Sequence, residues 1–269
     1  MKITELIKKL EIIYDKKLCY DFDNSGLNVL TNDNDIKNIT LTVDIIDNTI
    51  DYSIKNNCNL IISHHPMIFH SYKNIIDNSQ DNKIKRLISY DISAYSIHTN
   101  FDVQKDHGMG KIVLDQLNIS NNISKSEFIE TIDINNNEHG LGKIITLKNS
   151  INLNEILKLL IDNFKINISK ISYYTNKNMD DRFIKKIAIL PGSGRDYIQN
   201  VIKNKCDLYI TSDLSHHDIL DLYENNVCYI NATHYGLEKL FCYYMKELLE
   251  KIIDEKDNVK IYQFKNEDF

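Results

Sequence analysis

Tryptophan is absent from this 269-residue chain, proline occurs twice and glycine only eight times. Asn, Ile, Lys and Asp crowd the sequence, so the scarcity reads as a coding bias, and the few glycines retained become informative positions. An excess of positive charge is missing too. The 32 Lys and Arg stand against 38 Asp and Glu, a net of -6, which creates no general field for a polyanion and argues against nucleic acid as a partner. No stretch nears the roughly 20 apolar residues of a membrane span. The N-terminus places Ile3, Leu6, Ile7, Leu10 and Ile13 at helical spacing among lysines and acids, without the unbroken apolar run of a signal peptide. Five cysteines, Cys19, Cys58, Cys206, Cys228 and Cys242, are odd in number, widely separated and form no Cys-x-x-Cys pair. They predict reduced, mostly buried thiols and a cytoplasmic or equally reducing compartment.

The length suits two modest domains. From residue 36 onward, short apolar strands alternate with amphipathic helices, the pattern of a layered α/β fold. Ile39, Leu41 and Val43 form a strand ending at Asp44, and Ile46, Ile50 and Ile54 mark a helix. A buried strand over 60–62 runs into Ser63-His64-His65-Pro66. After a helical stripe of Ile84, Leu87 and Ile88, a strand over 92–97 delivers His98-Thr99-Asn100-Phe101-Asp102. The polar, weakly periodic stretch 118–138 is the expected hinge, giving domains 1–125 and 126–269, with the final segment free to pack back on the first. Beyond it come a strand over 144–147, a helix with the stripe Leu153, Ile156, Leu157, Leu160, Ile161 and Phe164, and a strand over 187–190 ending in Gly192-Ser193-Gly194. Strands over 208–210 and 227–230, one long helix over 236–253 and a last strand over 259–264 close the chain. Polar clusters fall where strands end, which is where α/β proteins carry their chemistry.

His64 and His65 sit at such a strand end, with Pro66 restricting the preceding residue to extended backbone. Adjacent extended side chains point to opposite sides, which suits two nearby metal ions better than one. Asp102, after the next strand, is the chosen carboxylate ligand. His98 serves either as a further ligand or as a neighbouring hydrogen-bonding group. His234 and Glu238 lie four apart and share one helical face. Alone, each of these is also explained as a cap or a surface pair. Together, three imidazoles and two carboxylates at the ends of three strands form the mixed N/O set that a pair of Zn, Fe or Mn ions accepts. Gly192-Ser193-Gly194 fits an anion-binding turn as well as a plain tight turn. Thr211-Ser212-Asp213 with His216-His217-Asp218 supplies either an outer acid or base or helix caps.

These motifs, with Asp23-Asn24-Ser25-Gly26-Leu27 and Gly140-Leu141-Gly142, resemble in order the NIF-three-like family, whose members are often called GTP cyclohydrolase I type 2 homologues. Two departures stand out: Tyr20-Asp21-Phe22 lies where members commonly carry a tryptophan, and Leu237 replaces a usual threonine before Glu238. The resemblance implies two related α/β domains with mixed sheets flanked by helices and a dinuclear metal centre in the cleft between them. It also implies a ring-shaped homo-oligomer, commonly a hexamer, and the ligand set His64, His65, Asp102, His234 and Glu238. The expected activity is metal-dependent hydrolysis of a nucleotide or phosphoester-type small molecule, with His98 as the catalytic proton shuttle. The alternative is a non-catalytic metal-binding regulatory or scaffold protein.

Overall fold

Leu60–Ser63 is buried at every position, and a strand with no polar face needs cover on both sides and neighbours on both edges. In the computed structural model, which describes residues 1–76, 78–134, 136–175, 178 and 181–266, it is the central strand of a five-stranded sheet. The order is Gly26–Val29, Ser93–Ser96, Leu60–Ser63, Asn38–Thr42 and Lys260–Gln263. Only the outer pair of Gly26–Val29 and Ser93–Ser96 is antiparallel; the remaining pairs are parallel. This sheet belongs to one of two units, which comprises residues 1–101 and 241–266. The helix Ile3–Ile13 buries Ile3, Leu6, Ile7 and Leu10. The helices Asp47–Lys55 and Ser79–Ser89 pack Ile50, Ile84 and Leu87 against Ile61 and Ala94 of the sheet. Register matters most for function. Thr42 pairs with Ser63 and Ser63 with Ser96, so the three parallel strands end level and the residues after each leave from one edge.

The second unit is Asp102–Leu240. Its six-stranded sheet runs Ile123–Glu127, Lys143–Asn152, Phe183–Ser193, Leu208–Ser212, Cys228–Asn231 and Ser172–Tyr174. The three adjacent strands Phe183–Ser193, Leu208–Ser212 and Cys228–Asn231 are parallel, and the outer pairings are antiparallel. The core on one face gathers Ile144, Ala188, Leu190, Ile198, Val201, Tyr209 and Leu222. Again the parallel strands finish level, with Ser193 opposite Ser212 and Thr211 opposite Asn231.

Two local expectations change. Much of the polar stretch 118–138, read as a hinge, forms the strands Ile123–Glu127 and Glu130–Ile134, with Asn137–Leu141 pairing onto the latter. Ile123–Glu127 is mostly exposed and Glu130–Ile134 only half buried, so neither needs the apolar alternation that makes a half-buried strand visible in sequence. The helix expected over 236–253 begins earlier and is split into His234–Glu238 and Leu240–Ile252. A one-residue interruption hardly disturbs 3.6-residue spacing, so periodicity reads straight through it. The five cysteines are free thiols, four of them buried. Burial pushes Cys206 and Cys242 up to about 12, which leaves them in the unreactive thiol form. Among the described residues no helix is long and apolar enough to cross a membrane.

Candidate metal centre

In the first unit the level strand ends bring three imidazoles together. His64 is fully buried, with the rings of Phe101 and Phe241 5.9 and 5.2 Å from its own. Its Nδ1 lies 2.9 Å from the carbonyl oxygen of Ile97. A carbonyl only accepts, so Nδ1 carries the proton and the lone pair of the neutral ring sits on Nε2. Carboxylates impose the same tautomer on the other two: His65 Nδ1 is 2.7 Å from Asp44 and His98 Nδ1 is 2.8 Å from Asp23. His64, His65 and His98 each offer one ring nitrogen, and these atoms lie within 4.8 Å of one another.

His64 and His65 were expected on opposite sides of an extended chain, yet their ring centroids are 5.0 Å apart and both face His98 at 5.3 and 5.4 Å. Strand alternation stops at Ser63, whose hydroxyl donates to the carbonyl of His65 and turns the chain. The segment stays tied to its neighbour by His64 N–H to Thr42 and His65 N–H to Val43.

Asp23 is the best-held carboxylate of this site. Its side chain is 0% exposed, and it accepts from Ser25 Oγ at 2.6 Å, the Asn24 N–H at 2.7 Å, and the N–H and hydroxyl of Thr99 at 3.1 and 2.5 Å. Burial works to raise its pKa, but the hydrogen bond and charge of His98, with those of Ser25 and Thr99, hold the carboxyl well below its ordinary range. Asp102 closes the one-turn helix Thr99–Asp102. It is half-buried.

In the second unit, Thr233 caps a short helix by accepting from the Gly236 N–H at 2.9 Å. That helix carries His234 and Glu238 on one face, with His234 Nε2 2.9 Å from Glu238 Oε2. On its other side His234 Nδ1 meets Asp213 at 2.5 Å. An imidazole gripped by two carboxylates is held either as an imidazolium or with a cation at Nε2. The second arrangement is the carboxylate–histidine–metal pattern.

Gly192 makes room for the glutamate. Its φ is +78°, and a Cβ there would lie 2.6 Å from Glu238 Oε1 and 3.8 Å from His234 Nε2. Its carbonyl accepts from Ser212 at 2.6 Å and Thr211 at 3.2 Å, so Gly192-Ser193-Gly194 is a close-approach turn behind the carboxylate. His216 and His217 are exposed. Asp218 forms a capping box with Ser215 and pairs with Arg195, so this end of the cluster caps a helix while Asp213 is the outer carboxylate on His234.

The donor chemistry fits a divalent transition metal, because every candidate histidine has Nδ1 turned to an oxygen acceptor, which makes Nε2 the nitrogen that could ligate an ion. The orienting residues Asp44 and Asp23 are what reasoning from sequence left without a role. Both carried a faint signal, Asp44 as the residue after a strand and Asp23 within the opening motif.

Fold and site together define a mixed α/β protein with histidine and glutamate groups able to hold a metal ion. The chain belongs to the DUF34/NIF3 (NGG1p interacting factor 3) family, whose model matches residues 1–268. It is 31% identical to a GTP cyclohydrolase 1 type 2 homolog of Clostridium acetobutylicum, over 98% of this chain and 99% of that protein. It is 28% identical to the NGG1-interacting factor 3 of Saccharomyces cerevisiae, over 93% of this chain and 91% of the relative. The crystal structure of the Staphylococcus aureus hypothetical protein SA1388 shares the fold, with a TM-score of 0.85 and 23% identity over 99% of this chain and 97% of that one.

Proposed function

We propose that the chain holds two divalent metal ions through His64, His65, Asp102, His234 and Glu238 and is a metal-dependent hydrolase of a nucleotide or phosphoester-type small molecule. The observation that carries this reading is the convergence of ring nitrogens from His64, His65 and His98 within 4.8 Å, with each Nδ1 committed to an oxygen acceptor. Bound metal would supply an activated water and polarise the group it attacks. The residues themselves do the rest. Asp44 and Asp213 orient His65 and His234, Gly192 leaves space for Glu238, and His98, anchored through Nδ1 by Asp23, takes or gives a proton at Nε2. The name of the Clostridium relative supports a nucleotide substrate. Family resemblance supports a homohexamer, and the five free thiols suit a cytoplasmic setting.

Elemental analysis of the purified protein, followed by a screen of nucleotides and phosphoesters with that metal restored, tests this. The expected result is stoichiometric metal and turnover that chelator abolishes. His65→Ala and Glu238→Ala are expected to lose metal while keeping the circular dichroism of the parent. Unchanged metal content in both variants would sink the ligand assignment. The yeast relative's name denotes interaction with another protein, which favours a second reading as a metal-binding scaffold. Retained metal without turnover across the whole screen would select it.

A further inference from the structure

Beside the imidazole cluster of the first unit lies a run of aromatic rings. Tyr20 and Phe22 are stacked at 5.6 Å with planes 7° apart. Phe22 and Phe69 follow at 6.4 Å and 26°, and Phe69 meets the His98 ring edge-on at 6.1 Å. Phe22 is 61% and Phe69 41% exposed. Large apolar rings left in water on a mobile loop would mean little, but this backbone is fastened. The Tyr20 N–H donates to Thr99 Oγ1 at 3.1 Å, and the residue after Phe22 is the buried Asp23. Asn24 Nδ2 donates to the Ile68 carbonyl at 2.5 Å, while the Ile68 N–H donates to Asn28 at 3.2 Å. The two ring-bearing segments are therefore tied to each other. Exposed aromatics on a rigid frame mark a contact site.

The rings are flat and stepped, and Phe69 leads directly to the His98 ring of a group that could hold a cation. A ligand that uses both features has a planar apolar end and an anionic end. We infer that Phe22 and Phe69 form a stacking shelf for the base of a mononucleotide, whose phosphate end is directed toward His64, His65 and His98. This rests on the nucleotide reading above and adds where the base sits. Stacking on an aromatic side chain tolerates any base, since each has a π-face. The shelf therefore sets the class of ligand and not the particular base.

The absence of tryptophan makes the test direct. In the metal-loaded full chain, Phe22→Trp carries the only indole, whose fluorescence should be quenched saturably by guanosine monophosphate and not by ribose 5-phosphate. Calorimetry on Phe22→Ala should show guanosine monophosphate bound about tenfold more weakly, with ribose 5-phosphate affinity and metal content unchanged. Absent quenching, an unchanged guanosine monophosphate affinity in Phe22→Ala, or an equal loss for both ligands would overturn the shelf. So would a shift in sedimentation of Phe22→Ala with nucleotide affinity intact, which would make the rings a contact between copies. Quenching without turnover of any nucleotide would leave the shelf standing and remove only the hydrolase reading.

Discussion

In the first unit, Asp23 holds His98 with a wholly buried carboxylate that also accepts from Asn24, Ser25 and Thr99. In the second unit, Asp213 holds His234 with a half-exposed carboxylate on a residue whose φ of 59° places it in the left-handed region. One imidazole is anchored by a saturated network inside the fold, where low dielectric strengthens each bond and makes every loss costly. The other is positioned by backbone: a left-handed aspartate beneath it and a glycine that clears space for Glu238. The first arrangement couples the site to stability. The second couples it to local backbone geometry, and each leaves a different signature when broken.

Asp23→Ala should have the largest effect. It leaves His98, Ser25 and Thr99 without their shared acceptor, and a loss of about 3–5 kcal/mol is expected, read as a lower urea midpoint with unchanged slope. Gly192→Ala comes next. Alanine at φ +78° with its Cβ 2.6 Å from Glu238 Oε1 should cost about 1–3 kcal/mol of backbone strain and displace the carboxylate, so metal content should fall along with the thermal midpoint.

Asp213→Ala should barely move stability, since half-exposed pairs contribute about 0–1 kcal/mol. Its effect should appear as metal bound about 10- to 100-fold more weakly in a competition titration with a chelator. Equal stability losses in the Asp23 and Asp213 variants would show that the two imidazoles are held alike after all.

The smallest effect lies away from both sites. Lys143 sits 3.5 Å over the Phe128 ring, and burial, with some help from Lys111, lowers its pKa from 10.5 to about 8. The unfolded chain then holds more of this proton between those two values, so the contribution of Lys143 to stability rises with pH across that window. The difference in unfolding free energy between Lys143→Met and the parent should drift between pH 8 and 10.5 and flatten outside it. A constant difference across that range would mean that the amine is ordinary.

Much of the fold is legible along the chain. The run Leu60-Ile61-Ile62, the alternation of Ile39, Leu41 and Val43, and the stripe from Leu153 to Phe164 all form the elements their spacing predicts. Burial imposes these patterns, so apolar spacing carries them. Ile123–Glu127 and Glu130–Ile134 were illegible because exposed strands lack that constraint. Of the candidate site, His64, His65 and His98 come together, as do His234 and Glu238, each at a strand end where polar residues interrupt an apolar run. The bend after Ser63, where the adjacent histidines come to one side, is bridged by the Ser63 hydroxyl, a contact that has no periodic signature.

By itself, the amino-acid sequence determined where chains of apolar residues stop and which imidazoles and carboxylates wait there. Tertiary structure alone decided that Thr42, Ser63 and Ser96 would end level, that Asp23 would meet His98 75 residues away, and that Gly192 would lie against Glu238. The reason is physical. Local pattern records which face of an element is buried, while register and the partner of each Nδ1 follow from how separate elements pack, and no short window of sequence contains that.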